Sequence, residues 1–199
     1  WRLPTNGLPP LPLTSAERDI TEFAVSRRGD NVAYVSDGDL WLQSVNGTGP
    51  QGDPQLLASI EARDLVFNAS GDQIAFVTFS SPNDPDSGLW TIPTAGGDAE
   101  LILENEEVHG ETAFRYVRPQ YAPNFNAILL ERQTSDLYEA ILLDPVAGEV
   151  SEIGEFNRVR WLENGRVMGA VLGSEPGSSE LYIIDPQIRP LQPALVFRA

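Results

Sequence analysis

Carboxylates are the most abundant groups in this sequence that could bind a ligand or react. The 199 residues include 29 Asp and Glu but only 13 basic side chains, all of them Arg, and the net charge is −16. Negative charge on this scale opposes binding to the phosphate backbone of nucleic acids. It favours cationic partners instead, such as a protein with a basic surface or a metal ion.

One acidic segment has the residue types of a cation site. Asn83, Asp84, Asp86 and Ser87 place oxygen donors just before the turn-forming Gly88, and calcium prefers oxygen ligands. The segment lacks the glutamate that binds calcium through both carboxylate oxygens in helix–loop–helix sites. Calcium bound by Asp84 and Asp86 is the one cofactor that the sequence suggests, and an acidic hairpin tip made of turn formers is the alternative.

Catalytic side chains are sparse. Cysteine and lysine are absent, and the single histidine, His109, lies among Glu106, Glu107 and Glu111 in a segment typical of a solvated loop. No Gly-x-Ser-x-Gly nucleophile elbow occurs, and without Lys the phosphate loop of the Gly-x-x-x-x-Gly-Lys type is excluded. The sequence therefore favours a non-enzymatic protein, and a glycosidase or lyase built on paired carboxylates is the enzyme alternative.

The sequence contains internal repeats, and the repeated unit must position these acidic side chains. Residues 23–35 align with residues 65–77 at a constant offset of 42, and shorter copies occur at 121–130 and 161–171. Each copy consists of an apolar run, a turn containing Gly or Asn, and a second apolar run. This pattern predicts a β-hairpin in every copy.

A second pattern follows each hairpin, in which a Leu precedes an aromatic residue and a turn and a short apolar run come next. The four pairs are Leu40-Trp41, Leu89-Trp90, Leu137-Tyr138 and Leu181-Tyr182. Four short strands per repeat predict the antiparallel blade of a β-propeller. We therefore expect an all-β fold with about four blades, at 20–57, 64–103, 114–153 and 157–197.

Two arrangements of these blades are compatible with the sequence. Because propellers contain ~4 to ~8 blades, the four units form either a compact ring or part of a larger one. Residues 1–19 contain Pro4, Pro9, Pro10 and Pro12, which predicts an extended N-terminal segment. That segment is either a flexible linker or a strap that closes the ring or docks on a neighbour.

The hairpin and the Leu–aromatic pair together resemble the repeats of TolB-like, WD40-like (PD40-type) propellers. Residues 68–76 and 121–124 carry the resemblance best, and it extends over about 20–190. It implies an interaction scaffold outside the cytoplasm (periplasmic, cell-surface or secreted), for example in a larger envelope or membrane-associated complex. No apolar run approaches the ~20 residues of a transmembrane helix. The alternative is the gating propeller of a prolyl-oligopeptidase-like serine peptidase, whose catalytic domain would lie outside this chain.

The acidic residues concentrate in one set of predicted loops. The loops between second and third strands, with the links between blades, comprise 50 residues that hold 15 of the 29 acids but only two Arg. These loops share one edge of a propeller and predict an acidic face for a basic protein partner. The alternative is that acids are simply best solvated in exposed loops. The residues assigned to this face are Asp37, Asp39, Asp84, Asp86, Glu104, Glu106, Glu107 and Glu111.

Overall fold

A computed structural model describes residues 10, 12–14, 18–78, 87–105, 107–108, 112–133, 138–172, 178–188 and 191–198. These residues form strands, turns and irregular segments, and no helix capable of crossing a membrane occurs among them. The strands build four main antiparallel sheets in chain order. The expected all-β fold of four-stranded antiparallel blades is therefore confirmed.

Each sheet is a meander of consecutive strands. Sheet I contains β1 (Ile20–Val25), β2 (Asn31–Ser36), β3 (Asp39–Asn46) and β5 (Gln55–Ala58), with the short β4 (Gly49–Pro50) paired to the end of β3. Sheet II contains β6 (Arg63–Phe67), β7 (Gln73–Thr78), β8 (Gly88–Pro93) and β9 (Glu100–Glu104). A hairpin of β10 (Glu107–Val108) and β11 (Thr112–Ala113) follows it.

The second half of the chain repeats this arrangement. Sheet III contains β12 (Arg115–Tyr121), β13 (Ile128–Gln133), β14 (Tyr138–Asp144) and β15 (Glu149–Glu155). Sheet IV contains β16 (Arg158–Trp161), β17 (Val167–Leu172), β18 (Ser179–Ile184) and β19 (Ala194–Arg198).

Side-chain hydrogen bonds close the turn between the first two strands. In sheet II, Asn68 Oδ1 accepts hydrogen bonds from the backbone N–H groups of Gly71, Asp72 and Gln73. Gly71 has φ of 82°, which glycine adopts without steric penalty. In sheet I, Ser26 stands at the equivalent position, and its Oγ accepts two backbone N–H groups of the turn. The repeated hairpin is thus fixed by polar residues at matching positions.

Both faces of a sheet are apolar, because successive residues of a strand point to opposite sides. In β7, Ile74 and Phe76 pack towards sheet I, whereas Ala75 and Val77 pack towards sheet III. We call the face towards the preceding sheet the rear face and the face towards the following sheet the forward face. A blade between two neighbours therefore needs a nearly continuous apolar strand, as the sequence shows.

Three apolar interfaces stack the sheets in order. The interface of sheets I and II joins Ala33, Val35, Leu40 and Leu42 to Ile74, Phe76 and Ile92. The interface of sheets II and III joins Ala75, Val77 and Leu89 to Ile128, Leu130 and Ile141. The interface of sheets III and IV joins Leu129, Ala140, Leu142 and Phe156 to Val167 and Ile184.

The first strands lie together at the inner side of this stack, since β1 contacts β6 and β6 contacts β12. The hairpin turns also meet: Arg27 Nη1 donates to the Pro123 carbonyl at 3.4 Å, and Asn124 lies against Gly165. The sheets therefore fan out from an axis near their first strands. We call the end of the stack with these hairpin turns the turn edge and the opposite end the loop edge.

Candidate functional site

At the loop edge of sheet I, a short turn joins the second and third strands. In sheet I this turn is Asp37-Gly38, with φ of 56° and 81°, values typical of a two-residue hairpin turn. Asp37 is exposed and accepts a 3.4 Å hydrogen bond from Ser36 Oγ. Asp39 is half-buried and begins β3. The turn thus fixes both carboxylates at this edge.

Glu104 lies at the loop edge of sheet II. It ends β9 opposite Gly88, the first residue of β8. Gly88 is required there, because an added Cβ would lie 2.2 Å from the Leu103 carbonyl oxygen. Glu104 is exposed, and within the described part of the chain the carboxylates of Glu104 and Asp39 form no side-chain hydrogen bond or ion pair.

The other predicted residues of the acidic face fall mostly outside the described part of the chain. Glu107 begins β10 and is described only by its backbone. The calcium site assigned to the 83–88 segment stays a prediction, and no group of three or more metal-ligating side chains occurs among the described residues. The residues that lie outside the described ranges are Asp84, Asp86, Glu106, His109 and Glu111.

The first strands carry a ring of charged residues that the sequence analysis missed. The last residue of each first strand pairs with an apolar residue of the second strand, and these four pairs define equivalent positions. The pairs are Val25–Val32, Phe67–Ile74, Tyr121–Ile128 and Trp161–Val167. Three residues earlier, the four first strands carry Glu22, Asp64, Arg118 and Arg158. Aligning all four repeats on those pairs would have revealed the ring.

Arg118 connects the ring across neighbouring sheets. Its backbone N–H donates to Asp64 Oδ2 at 2.8 Å, and its guanidinium forms an ion pair with Glu131. Arg158 Nη1 lies 3.5 Å from the same carboxylate. Asp64 and Arg118 have φ of 51° and 53°, where non-glycine residues are uncommon. Both lie where the strand register shifts, as expected for β-bulges.

Glu131 is a buried carboxylate at a position that is apolar elsewhere. The equivalent residues of sheets I and II are Val35 and Val77. Glu131 is 1% exposed, and its Oε1 has no hydrogen-bond partner among the described residues. A buried charge requires compensation, which Arg118 and Arg158 provide. Glu131 was counted among the acids of the predicted loops, but it lies within strand β13.

The carboxylates of the ring are partly desolvated. Burial raises the pKa of Asp64, and the charge of Arg63 offsets part of the rise. The pKa of Glu22 is also raised, first by burial and then by the negative charge of Asp64. A cationic group beside either residue would favour its charged form. The ring mixes carboxylates with guanidinium groups, which form ion pairs and hydrogen bonds between neighbouring sheets.

Neither a family model nor a curated protein matches the chain, but solved structures do. The β-propeller domain of the Trilobed protease from Pyrococcus furiosus superposes with a TM-score of 0.61 at 15% identity, over 90% of this chain and 57% of that one. This chain has a β-propeller fold. The resemblance to TolB-like and WD40-like repeats is confirmed at the level of that fold.

Two further solved structures share the fold. An oligogalacturonate lyase in complex with manganese gives a TM-score of 0.54 at 13% identity, over 90% of this chain and 66% of that one. The extracellular domain of a putative one-component system from B. thetaiotaomicron superposes with a TM-score of 0.55 at 14% identity. The match covers 92% of this chain and 23% of that one. This chain thus spans less than two thirds of each of the three proteins.

Proposed function

We propose that this chain is a non-enzymatic, protein-binding part of a propeller, and that its loop edge binds a basic protein surface. The observation that carries the proposal is the pair Asp39 and Glu104. They lie at the same edge of neighbouring sheets, on short turns and strand ends, without an intramolecular partner among the described residues. Rigid placement of free carboxylates lowers the entropy lost when a partner binds.

The charge of the whole chain supports the same interpretation. A net charge of −16 creates a field that attracts basic surfaces over distances near the Debye length. Such a field raises the association rate constant more than it raises final affinity. We expect the affinity itself to come from a few anchoring contacts at the loop edge, while the carboxylates guide the approach.

The proposed location is outside the cytoplasm, as a subunit of a larger envelope or membrane-associated complex. The similarity to an extracellular domain supports this location, as does the resemblance to TolB-like repeats. Fractionation of cells that produce the natural full-length protein tests it. Recovery with the cytoplasmic fraction would contradict the proposed location.

The binding proposal is tested with two variants of equal charge. Asp39→Lys with Glu104→Lys forms the loop-edge variant. Asp98→Lys with Glu149→Lys forms the turn-edge variant, since both residues are exposed near the turns at the other end of their sheets. Each immobilised protein is incubated at low salt with an extract of the source organism. We expect the loop-edge variant to retain roughly one tenth of the bound partner or less, and the turn-edge variant to behave like wild type. Equal capture by all three proteins would refute the acidic face.

A second candidate is the gating propeller of a prolyl-oligopeptidase-like serine peptidase. The similarity to a protease propeller domain favours it. This function requires a hydrolase domain with a Gly-x-Ser-x-Gly elbow in the full-length polypeptide. Labelling of the natural full-length protein by a fluorophosphonate probe would support this candidate, and absence of both the motif and the labelling would exclude it.

A further inference from the structure

The two ends of the stack expose positions that are buried between sheets elsewhere. On the forward face of sheet I, Ala33 and Leu42 form one cross-strand pair and Val35 and Leu40 the next, and all four are at most 7% exposed. The equivalent pairs of sheet IV are Met168–Ile183 and Ala170–Leu181. These four apolar side chains are all partly exposed, and no later sheet of the described chain covers them.

The rear face of sheet I is also incomplete. Phe23 and Val25 point to this face and are 67% and 47% exposed. At the equivalent positions, Val159 of sheet IV is 5% exposed and Phe67 of sheet II is 7% exposed, because each packs on a preceding sheet. The inner part of this face therefore has the residues of a sheet interface but no sheet against it.

The N-terminal segment covers the outer part of that rear face. Leu13 packs beside Tyr34 and Trp41, and the Arg18 guanidinium lies 3.9 Å from the centre of the Trp41 ring. Beneath this cover Tyr34 Oη and Trp41 Nε1 are buried, and they have no hydrogen-bond partner in the described part of the chain. Because unsatisfied buried polar atoms are unfavourable, the segment is a poor substitute for a packed sheet.

Charge also makes the two ends complementary. The charged ring residues of neighbouring sheets lie close together: Glu22 and Asp64 repel each other, and the Arg118 N–H donates to Asp64. Arg118 and Arg158, which have the same charge, both pair with Glu131. The ring ends with Arg158 on sheet IV and begins with Glu22 on sheet I, which have opposite charge. Residues 157–199 contain five Arg and four acids, a net charge of +1, whereas residues 1–156 contain eight Arg and 25 acids, a net charge of −17.

We propose that the forward face of sheet IV packs on the rear face of sheet I of a second copy of this chain, in place of the N-terminal segment. The contact repeats the three internal interfaces and brings Arg158 next to Glu22 of the other copy. Two such contacts related by a two-fold axis close a ring of eight sheets, within the range of known propellers. The proposal is independent of the acidic loop edge, because it uses the faces of the end sheets.

The solution mass of the full chain tests this assembly, with a matched pair of variants. Ile183→Glu places a charge on the open forward face. Val146→Glu makes the same kind of change at an 83% exposed turn of sheet III. By sedimentation equilibrium we expect wild type and Val146→Glu at twice the 21.8 kDa of one chain, and Ile183→Glu at the mass of one chain. A monomeric wild type, a polymer that grows with concentration, or equal masses for the two variants would overturn the proposal.

Charge exchange tests the head-to-tail arrangement specifically. All variants carry Glu131→Val, which removes the buried carboxylate that Arg158 also faces. In this background Arg158→Glu and Glu22→Arg should each weaken the dimer by at least about tenfold, since each places like charges together at the contact. The double variant restores opposite charges and should recover most of the wild-type dissociation constant. A double variant that dimerises no better than the weaker single variant would show that these two end faces do not meet, even if a dimer forms.

Discussion

Two sets of carboxylates, one at each edge of the stack, differ in their surroundings. At the turn edge, Asp30, Asp72 and Asp144 each accept hydrogen bonds from groups within four residues. At the loop edge, Asp39 and Glu104 form none within the described ranges. The first group stabilises the hairpins that make the fold, whereas the second leaves its negative charge available. The first set closes hairpin turns, and the second set contains the two carboxylates that we propose for recognition.

The pKa values of two carboxylates, one near each edge, are shifted in opposite directions. Hydrogen bonds from Asn68 and Ser70 lower the pKa of Asp72, so folding favours its charged form. Burial raises the pKa of Asp64 near the loop edge, so folding opposes its charged form. The fold therefore favours the charged form of Asp72 and disfavours the charged form of Asp64.

The largest expected effect concerns Glu131, the loop-edge carboxylate that is buried and paired. Arg118→Ala removes its main partner and should lower the free energy of unfolding by about 3 kcal/mol, because an uncompensated buried charge is strongly destabilising. Glu131→Val should change it by less than about 1 kcal/mol, since Val occupies this position in sheets I and II. Urea unfolding at neutral pH measures both, and equal losses in the two variants would contradict this account of the pair.

A smaller effect is expected at the turn edge. Asn68→Ala removes the acceptor of three backbone N–H groups and should lower the free energy of unfolding by about 2 kcal/mol. Asp39→Ala at the loop edge removes no described hydrogen bond and should lower it by less than about 0.5 kcal/mol. Urea unfolding again gives both values. A loss at Asp39 as large as that at Asn68 would erase the distinction between the edges.

The smallest expected effect is the pH dependence of the stability that Asp72 and Asp64 contribute. Asp72 has a lowered pKa, so its contribution exists above the unfolded value of 3.8 and is lost as pH falls through the folded pKa. Asp64 has a raised pKa, so wild type should be less stable than Asp64→Asn at neutral pH and should approach it as pH falls towards 3.8.

Stability curves of Asp72→Asn and Asp64→Asn, each subtracted from wild type, measure these two contributions. On lowering the pH to the acid range, the difference for Asp72 should fall and the difference for Asp64 should rise. Two curves with the same slope would show that the environments of the two carboxylates do not differ as described.

The fold could be predicted because the sequence repeats the same local hairpin pattern in every sheet. The constant offset between residues 23–35 and 65–77 aligns two hairpins residue by residue, and their turns are closed by Ser26 and Asn68 at matching positions. The hairpin of β10 and β11 was not predicted, because two-residue strands in a charged linker have no hydrophobic period.

The site was predicted only in part. Connectivity alone places Asp37, Asp39 and Glu104 at one edge, because every second turn of an antiparallel meander lies at the same end. The charged ring was not predicted, because its four residues differ in type and charge. They share only their position, three residues before the last residue of each first strand. Glu131 escaped because a charged residue after an apolar run suggests the end of a strand, and its partners Arg118 and Arg158 come from other strands.

The association rate constant of the captured basic partner, measured over a range of ionic strength, tests the acidic loop edge most directly. Wild type and the turn-edge variant should associate rapidly at low salt and slow steeply as salt is added. The loop-edge variant should associate slowly, with a much weaker dependence on salt. If the loop-edge variant keeps the wild-type rate and the wild-type salt dependence, the loop edge is not the surface that this protein uses for recognition.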